Sequence, residues 1–207
     1  MTEESARQWI VDRFGVSRET RLAQFADLLV QGSAQQNLIS ASTIPYVWER
    51  HLLDSAQLIP LAAEAVEGSW IDIGAGAGLP GMVVAILTDR PVVLVEPRIK
   101  RVEFLRETAA VLDLGQQVDV VQSRIESYKP PVAASVVSAR AVAELSKLLL
   151  STVHCTDLST VWILPKGRNV QSEVDDARRK WQGVFHVERS LTADDSGIVV
   201  ARGVRPR

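Results

Sequence analysis

The chain has 207 residues, and 46% of them are hydrophobic, which is enough for a buried core and argues against disorder over most of its length. Its formal net charge is −2, so no global basic field indicates a nucleic-acid partner, and any such contact needs a local basic patch. Cys155 is the single cysteine, which excludes an internal disulfide and a cysteine-rich metal site, and we expect no bound metal. The acidic N-terminus has no apolar signal core and no apolar run is long enough for a bilayer, so we expect a cytoplasmic protein without membrane contact.

The first 68 residues show helical periodicity and no strand-like alternation. Ser17 is predicted to cap a helix at its N-terminus, and the polar run 32–37 is predicted to end that helix. One side of this helix carries four apolar side chains: Leu22, Phe25, Leu28 and Leu29. A second helical stretch is predicted from about Thr43. We therefore interpret residues 1–68 as a helical cap packed on the domain that follows.

From Ser69 onward, short β-branched runs alternate with amphipathic segments, which is typical of a parallel sheet with crossover helices. The predicted strands are 69–74, 91–96, 117–122, 134–139, 160–165, 183–190 and 197–203. The turn composition of 193–197 predicts that the last two strands form an antiparallel hairpin. The predicted fold is α/β: a doubly wound, seven-stranded, mostly parallel Rossmann-like sheet in residues 69–207, forming one compact unit with the cap.

The segment 69–81 is the most informative in the chain. Three glycines, Gly74, Gly76 and Gly78, follow the first predicted strand, where they permit a sharp turn and close approach of the backbone to a ligand. Pro80 then presets a helical dihedral angle at the start of a helix. A strand, a glycine turn and a helix place a polar or anionic ligand at the helix N-terminus, so the segment predicts a nucleotide-cofactor loop. The alternative is a glycine turn that serves only packing.

The register of the glycines bears on which cofactor the loop binds. A dinucleotide fingerprint that starts at the strand end requires a third glycine where Leu79 stands, and the register that does fit starts two residues later. The remaining pattern, Asp72-x-Gly-x-Gly-x-Gly, resembles the first motif of S-adenosylmethionine-dependent methyltransferases. Glu96 ends the second predicted strand, where a carboxylate can accept hydrogen bonds from ribose hydroxyls. Such a carboxylate serves NAD and S-adenosylmethionine alike, or is only a solvated acid.

The terminal hairpin favours a methyltransferase, because the sheet of that class resembles a doubly wound sheet whose last strand is antiparallel. After the third strand, Ile125 would then lie against the adenine face and Glu126 near its polar edge. The alternative for Glu126 is a helix cap.

Two features that the sequence lacks limit which atom of the substrate can accept the methyl group. Amino-group methylation of bases commonly uses an Asn/Asp-Pro-Pro-aromatic motif after the fourth strand. Residues 137–140 are Val-Ser-Ala-Arg, so this motif is absent. Methylation of pyrimidine carbon needs a cysteine nucleophile, but Cys155 follows His154 in a predicted helix or turn and is expected to be inert. A ring nitrogen such as guanine N7 carries a free lone pair and no proton. Methylating it requires alignment and no general base, so we predict no catalytic acid or base.

Basic residues follow four of the predicted parallel strands, at what should be one edge of the sheet. They are Arg98, Lys100 and Arg101 after the second strand, Arg124 after the third, Arg140 at the end of the fourth, and Lys166 and Arg168 after the fifth. Ligands of open parallel sheets bind outside this edge, so the residues predict a basic rim that surrounds a cofactor and holds nucleic-acid phosphates. Each one alone is equally explained as a solvated surface charge.

Several segments together resemble one family across nearly the whole chain. They are 37–40 (Asn-Leu-Ile-Ser), 50–55 (Arg-His-Leu-Leu-Asp-Ser), 72–81, 100–105 (Lys-Arg-Val-Glu-Phe-Leu) and 166–167 (Lys-Gly). These motifs are similar to those of the bacterial 16S ribosomal RNA guanine-N7 methyltransferases. The resemblance implies methyl transfer from S-adenosylmethionine to N7 of one guanine in the 530 loop of 16S rRNA, in the small ribosomal subunit or an assembly intermediate.

The resemblance also implies roles for individual residues. The implied cofactor contacts are Gly74, Gly76, Gly78, Leu79, Glu96, Ile125, Glu126 and Arg140. The implied RNA-side residues are Asn37, His51, Lys100, Arg101, Arg124, Lys166 and Arg168. His51 is equally explained as a structural histidine. The segment 138–141 reads Ser-Ala-Arg-Ala where Ser-Arg-Ala is usual, a departure that falls at Arg140.

A second departure is Glu96-Pro97, which stands where Asp/Glu-Ser is common. A methyltransferase acting on a small molecule or protein and a non-catalytic nucleotide- or RNA-binding scaffold remain as alternatives. Nothing in the sequence requires a dimer, and we expect a monomer.

Overall fold

The strands of the protein form a single twisted sheet in a computed structural model that describes residues 1–140 and 142–207. The strands are β1 (Trp70–Ile73), β2 (Val92–Glu96), β3 (Val118–Gln122), β4 (Val136–Ala139), β5 (Val161–Lys166), β6 (Trp181–Arg189) and β7 (Gly197–Pro206). Their order in the sheet is β3-β2-β1-β4-β5-β7-β6. β1 to β5 are parallel, and β7 is antiparallel to both β5 and β6. The predicted doubly wound sheet with a terminal hairpin is confirmed.

Seven α-helices surround this sheet in the described part of the chain. They are α1 (Glu3–Phe14), α2 (Val16–Gln35), α3 (Asp54–Ala56), α4 (Gly81–Leu87), α5 (Ile99–Val111), α6 (Leu145–Thr152) and α7 (Val170–Lys180). Helices α4 and α5 pack on one face together with α2, whereas α6 and α7 pack on the other. Every residue of α4 is buried, because its apolar sequence lies between the sheet and α2. No helix among these combines the length and apolar character needed to cross a membrane.

The apolar core is continuous between the first 68 residues and the sheet. Leu22 and Phe25 of α2 belong to the same buried cluster as Trp70 of β1, Met82 of α4 and Leu105 of α5. A second cluster on the opposite face joins Ile71 and Trp162 to α6 and α7. Alternate residues of β1 therefore enter opposite clusters, as the period of a strand requires.

The first half of the cap differs from its prediction at the start of α2. Ser17 does not cap α2: the helix begins at Val16, and Gly15, with φ at 84°, is the single residue between α1 and α2. α2 ends at Gln35, inside the run 32–37 where its end is predicted, and Gly32 lies within its last turn. A Cβ at Gly32 would lie 2.6 Å from Leu38 Cδ1 and 2.8 Å from Phe104 Cε2, so this glycine permits a close helix crossing.

The helical stretch predicted from Thr43 is present but irregular. It consists of a 3-10 turn over Ala41–Tyr46, a π-helical turn over Trp48–Leu53, the short α3 and a second 3-10 turn over Pro60–Ala62. Pro45 lies inside the first turn, where its ring cannot continue a regular α-helix. The segment 138–141 is the one whose sequence differs from the usual Ser-Arg-Ala. Its last residue, Ala141, lies outside the described residues.

Candidate functional site

The glycine loop turns sharply at the carboxyl end of β1. Gly74, Gly76 and Gly78 have φ angles of 64°, 56° and 86°, a region that residues with a Cβ rarely occupy. The N–H of Gly74 donates to the Val95 carbonyl at 2.8 Å, which fixes the loop against β2. Glycine is therefore required here by the backbone itself.

The three glycines differ in what a side chain would meet. At Gly74 a Cβ would lie 2.9 Å from Val142 Cγ2, and at Gly78 it would lie 2.9 Å from Met82 Cβ, so both permit close packing. At Gly76 the nearest atoms are the Gly74 carbonyl oxygen at 3.5 Å and Arg98 Nη2 at 3.9 Å. Gly76 is thus the one of the three glycines at which a Cβ would make only ordinary van der Waals contacts.

Asp72 holds the loop to the rest of the sheet. Its Oδ2 accepts the Gly81 N–H at 2.9 Å, and its Oδ1 accepts the Ser138 hydroxyl at 2.8 Å. Ser138 in turn accepts the Trp70 indole N–H at 2.8 Å. Burial raises the pKa of Asp72 to about 6, although the hydrogen bonds from Ser138 and Gly81 oppose the increase. This carboxyl group joins β1, β4 and the start of α4.

Glu96 presents a buried carboxylate beside Gly76. Its side chain is 1% exposed, and its Oε2 accepts the Gly76 N–H at 2.9 Å. Its Oε1 accepts both the backbone N–H and the Nε–H of Arg98, each at 2.9 Å. Burial alone would raise the pKa of Glu96, but the hydrogen bonds from Arg98 and Gly76 outweigh it and lower the pKa. Glu96 is therefore held as an ionised acceptor.

A cavity of about 420 Å³ lies over this loop, and we name it the glycine-loop cavity. It is lined by Leu38, Gly74, Ala75, Gly76, Ala77, Leu79, Glu96, Pro97, Arg98, Arg140 and Val142. Gly78, Ile125 and Glu126 are not among its lining residues. Gly78 faces packed side chains, Ile125 is 8% exposed within the second apolar cluster, and Glu126 is exposed in the 3-10 turn after β3.

A second cavity of about 540 Å³ lies beside the first, at the ends of β4, β5 and the terminal hairpin. We name it the hairpin cavity. Its polar lining includes Arg50, Asp54, Arg140, Glu144, Lys166, Glu173 and Thr192. Arg140 and Val142 line both cavities, so these two residues form the wall between them.

Arg140 forms an ion pair with the cap across this wall. Its Nη1 lies 3.3 Å from Asp54 Oδ2, and the two side chains are 24% and 22% exposed. His51 lies nearby and shares a hydrogen bond of 2.8 Å between its Nε2 and Thr43 Oγ1, while its Nδ1 is buried and has no partner among the described residues. Burial, and then the positive charge of Arg140, lower the pKa of His51 to about 4. His51 is therefore neutral at pH 7.

Three of the predicted RNA-side residues lie together where the cap meets α5. The Arg101 guanidinium donates to the Asn37 carbonyl, and Gln36 donates to the Lys100 carbonyl at 3.1 Å. Lys100 is exposed at the start of α5, next to Arg98 on the rim of the glycine-loop cavity. We name Asn37, Lys100 and Arg101 the cap-junction patch.

The other predicted RNA-side cations lie apart from this patch. Lys166 is 8% exposed, since its ammonium pairs with Glu173 at 3.0 Å and donates to the Ala143 carbonyl. Arg168 forms an exposed pair with Asp195 at 3.4 Å. Arg124 is exposed after β3, at the outer edge of the sheet. Lys166 thus holds the loop before α6 and does not project into solvent.

Cys155 lies near the amino end of β4, whereas both cavities lie at the carboxyl ends of the parallel strands. Its carbonyl accepts the Ala134 N–H, just before β4 begins, and its side chain is buried. Burial raises the pKa of this thiol to about 11, so it is not ionised at neutral pH.

The sequence alone did not single out several residues that form the two cavities. The sequence predicts Arg98 in the basic rim but not its pairing with Glu96, and it carries no signal for Val142 or Thr192. Asp54 belongs to the motif 50–55, which gives it no predicted role. A carboxylate three residues after His51 in a predicted helical segment was an available signal, but its partner Arg140 is distant in sequence.

This fold and loop are those of a Rossmann-like methyltransferase. Solved structures with the same architecture include a variant of MtNAS in complex with S-adenosylmethionine and a methyltransferase from Geobacter sulfurreducens. The first has a TM-score of 0.60 at 17% identity, covering 97% of this chain and 83% of that one. The second has a TM-score of 0.59 at 11% identity, covering 86% and 88%. At these identities the likeness establishes the fold.

Sequence comparison establishes the family. The family model for GidB, described as rRNA small subunit methyltransferase G, matches residues 18–196, and the chain belongs to this family. The ribosomal RNA small subunit methyltransferase G of Sphingopyxis alaskensis is 45% identical over 97% of this chain and 86% of that protein. The corresponding protein of Zymomonas mobilis is 41% identical over 100% and 96%. The chain is an S-adenosylmethionine-dependent methyltransferase, as the loop motif predicted.

Proposed function

We propose that this methyltransferase acts on 16S rRNA of the small ribosomal subunit and methylates N7 of a guanine in the 530 loop. Family membership over residues 18–196 supports the ribosomal substrate. The proposal that a base accepts the methyl group rests on one observation: two adjoining cavities share Arg140 and Val142 as a wall. One cavity suits the cofactor, and the other opens directly beside it for an acceptor.

The glycine-loop cavity fits S-adenosylmethionine. Gly76 leaves its backbone accessible, Glu96 offers an ionised acceptor for ribose hydroxyls, and Leu38 and Leu79 supply apolar surface for the adenine. When bound, the cofactor supplies an electrophilic methyl group on a sulfonium. The task of these side chains is to hold and orient the nucleoside. Ile125 and Glu126 remain proposed contacts at the adenine end.

The hairpin cavity is proposed to receive the target guanine. N7 carries a lone pair and no proton, so no side chain must remove a proton, and the contribution of the site is alignment. Two of the carboxylates that line this cavity are already paired, Asp54 with Arg140 and Glu173 with Lys166. Such an arrangement suits a reaction that requires no general base.

RNA phosphates are proposed to bind the cap-junction patch, with Arg124, Arg168 and His51 as further RNA-side residues. Lys166 would act by holding the loop that borders the hairpin cavity. A ribosomal substrate requires the enzyme to work in the cytoplasm. We propose a monomeric enzyme whose partner is the small subunit or one of its assembly intermediates.

The proposal is tested by incubating the protein and labelled S-adenosylmethionine with small subunits, with naked 16S rRNA and with a total protein extract. We expect label in 16S rRNA as N7-methylguanine. Label in protein or small molecules alone would instead support a different acceptor. Cofactor binding without label in any acceptor would support a non-catalytic scaffold.

A further inference from the structure

Asp54 contacts three parts of the molecule at once. Its Oδ2 lies 3.3 Å from Arg140 Nη1, at the end of β4. Its Oδ1 accepts the Thr192 hydroxyl at 2.7 Å and the Gln57 amide at 3.0 Å. Both carboxylate oxygens are therefore engaged, and the cap, the sheet edge and the turn between β6 and β7 converge on one side chain.

The neighbours of Asp54 reinforce the same junction. Gln57 accepts the Leu191 N–H at 2.7 Å through its own amide oxygen, so the cap holds the hairpin turn at a second point. Thr192 is 9% exposed, which shows that this turn is packed down on the cap. Asp54 is consequently held in a fixed position relative to the hairpin, and Arg140 is the partner that it can orient.

Arg140 lies where its orientation affects both cavities. It directly follows Ala139, whose register partner Ile73 ends β1 just before the glycine loop. Its long side chain has many rotamers in the absence of a partner, and an ion pair restricts them. His51 and Arg50 offer no compensating negative charge, and Asp54 is the carboxylate with which Arg140 pairs.

We propose that Asp54 is a positioning residue that orients the Arg140 guanidinium in the wall shared by the two cavities, so that it can contact the bound cofactor. The idea rests on the proposed function, because it assumes that the glycine-loop cavity binds S-adenosylmethionine. Asp54 itself touches neither reactant. It acts through Arg140 and links the cap to the cofactor site.

A double-mutant cycle read by cofactor binding tests this role. The dissociation constant of S-adenosylmethionine is measured by calorimetry for the wild type, Asp54→Asn, Arg140→Ala and the double variant. Asparagine keeps an acceptor for Thr192 but loses the charge that pairs with Arg140. We expect each single change to weaken binding about tenfold, the scale of one charge-assisted hydrogen bond, and the double variant to be no weaker than Arg140→Ala.

Three results would overturn the role. Wild-type affinity in Asp54→Asn would remove the positioning effect, and losses that multiply in the double variant would show that Asp54 acts independently of Arg140. An unchanged dissociation constant with a lower binding stoichiometry and melting temperature would indicate a purely structural residue. Asp89→Asn is the control, since it removes an exposed ion pair between the cap and the loop before β2, Arg18 to Asp89 at 2.9 Å, and should bind as the wild type does.

The cycle is independent of the acceptor. A protein that shows the expected coupling but does not label 16S rRNA would support the role of Asp54 and refute the proposed substrate. If the protein labels 16S rRNA but the Asp54 and Arg140 substitutions act independently, the proposed substrate is supported and the role of Asp54 is refuted.

Discussion

At the scale of single residues, Gly76 is the most direct test of the glycine-loop cavity. We expect Gly76→Val to abolish detectable cofactor binding in calorimetry, because its side chain would enter the space between the loop and Arg98. The backbone strain of a left-handed residue costs about 1–2 kcal/mol in addition. Gly203→Val controls for that strain, since Gly203 has φ at 62° with nothing within 4 Å of its Cβ and lies outside the residues lining either cavity. Equal cofactor affinity in both variants would refute the loop assignment.

The lowered pKa of His51 predicts that the free energy of unfolding depends on pH. Its pKa falls from the ordinary value of 6.5 to about 4 through burial and Arg140. Between these values the unfolded chain takes up a proton that the folded chain does not, so stability is full above pH 6.5 and is lost as the pH falls toward 4. Asp72 has the opposite slope, because its raised pKa means that stability is lost as the pH rises from 3.8 to about 6.

The two contributions separate when the wild type is compared with His51→Gln, since Asp72 is common to both. We expect the variant to gain stability relative to the wild type between pH 7.5 and pH 5, by on the order of 1 kcal/mol in urea unfolding. A difference in unfolding free energy that is constant over this range would show that His51 titrates normally.

At the scale of elements, Gly32 shows a conflict between local and tertiary preference. Alanine would favour the helix by up to about 1 kcal/mol, but its Cβ would overlap Leu38 and Phe104, and overpacking costs about 1–3 kcal/mol. We expect Gly32→Ala to lower the melting temperature. Gly115→Ala, where nothing lies within 4 Å, should not lower it. A more stable Gly32→Ala protein would mean that the helix crossing relaxes at little cost.

The elements also show what the sequence could predict. Strands such as β2 and β5 were located within a residue because continuous β-branched runs are buried on both faces of a parallel sheet. The end of α2 at Gln35 also lies inside the predicted run 32–37. The packing role of Gly32 was not predicted, because a glycine in a helical pattern means a break or a close contact, and only the tertiary partner decides. Helical periodicity located the stretch that begins near Thr43, but it did not predict that residues 41–62 form mainly 3-10 and π turns.

The site follows the same division. Gly76 and Glu96 were predictable because each directly follows or ends a strand, and their separation of 20 residues is the spacing that a nucleoside site uses. Asp54, Arg140 and Thr192 form a contact between segments more than 50 residues apart, which no local pattern encodes. The burial of Lys166 was missed for a different reason, since its partners are Glu173 in the helix that follows and the Ala143 carbonyl, and the chain's course between them sets the contact.

At the scale of the whole molecule, we propose that residues 1–68 and 69–207 form one cooperative unit. Phe25 of the cap and Met82 of the sheet domain share one buried cluster, so neither part buries its apolar surface alone. We expect a single urea transition that coincides by far-ultraviolet circular dichroism and tryptophan fluorescence. Two separated transitions would contradict this view.

The charge of the whole molecule leads to a further expectation. The net charge is −2, so RNA affinity must depend on local cations. We expect Lys100→Ala combined with Arg101→Ala to weaken RNA binding and to reduce its salt dependence by about two phosphate contacts, while cofactor affinity is unchanged. A salt response equal to that of the wild type would remove the cap-junction patch from the RNA interface.

The central claim is that the enzyme methylates guanine N7 in 16S rRNA, with the cofactor in the glycine-loop cavity and the target guanine in the hairpin cavity. It is tested most directly by mass spectrometry of nuclease fragments from unmethylated small subunits after incubation with S-adenosylmethionine and either the wild type or Gly76→Val. We expect one methyl group on one guanine in the 530-loop fragment, placed at N7 by its lability to alkaline cleavage, with the wild type alone. A methyl group on another atom or in another fragment, or equal methylation by the valine variant, would contradict the account.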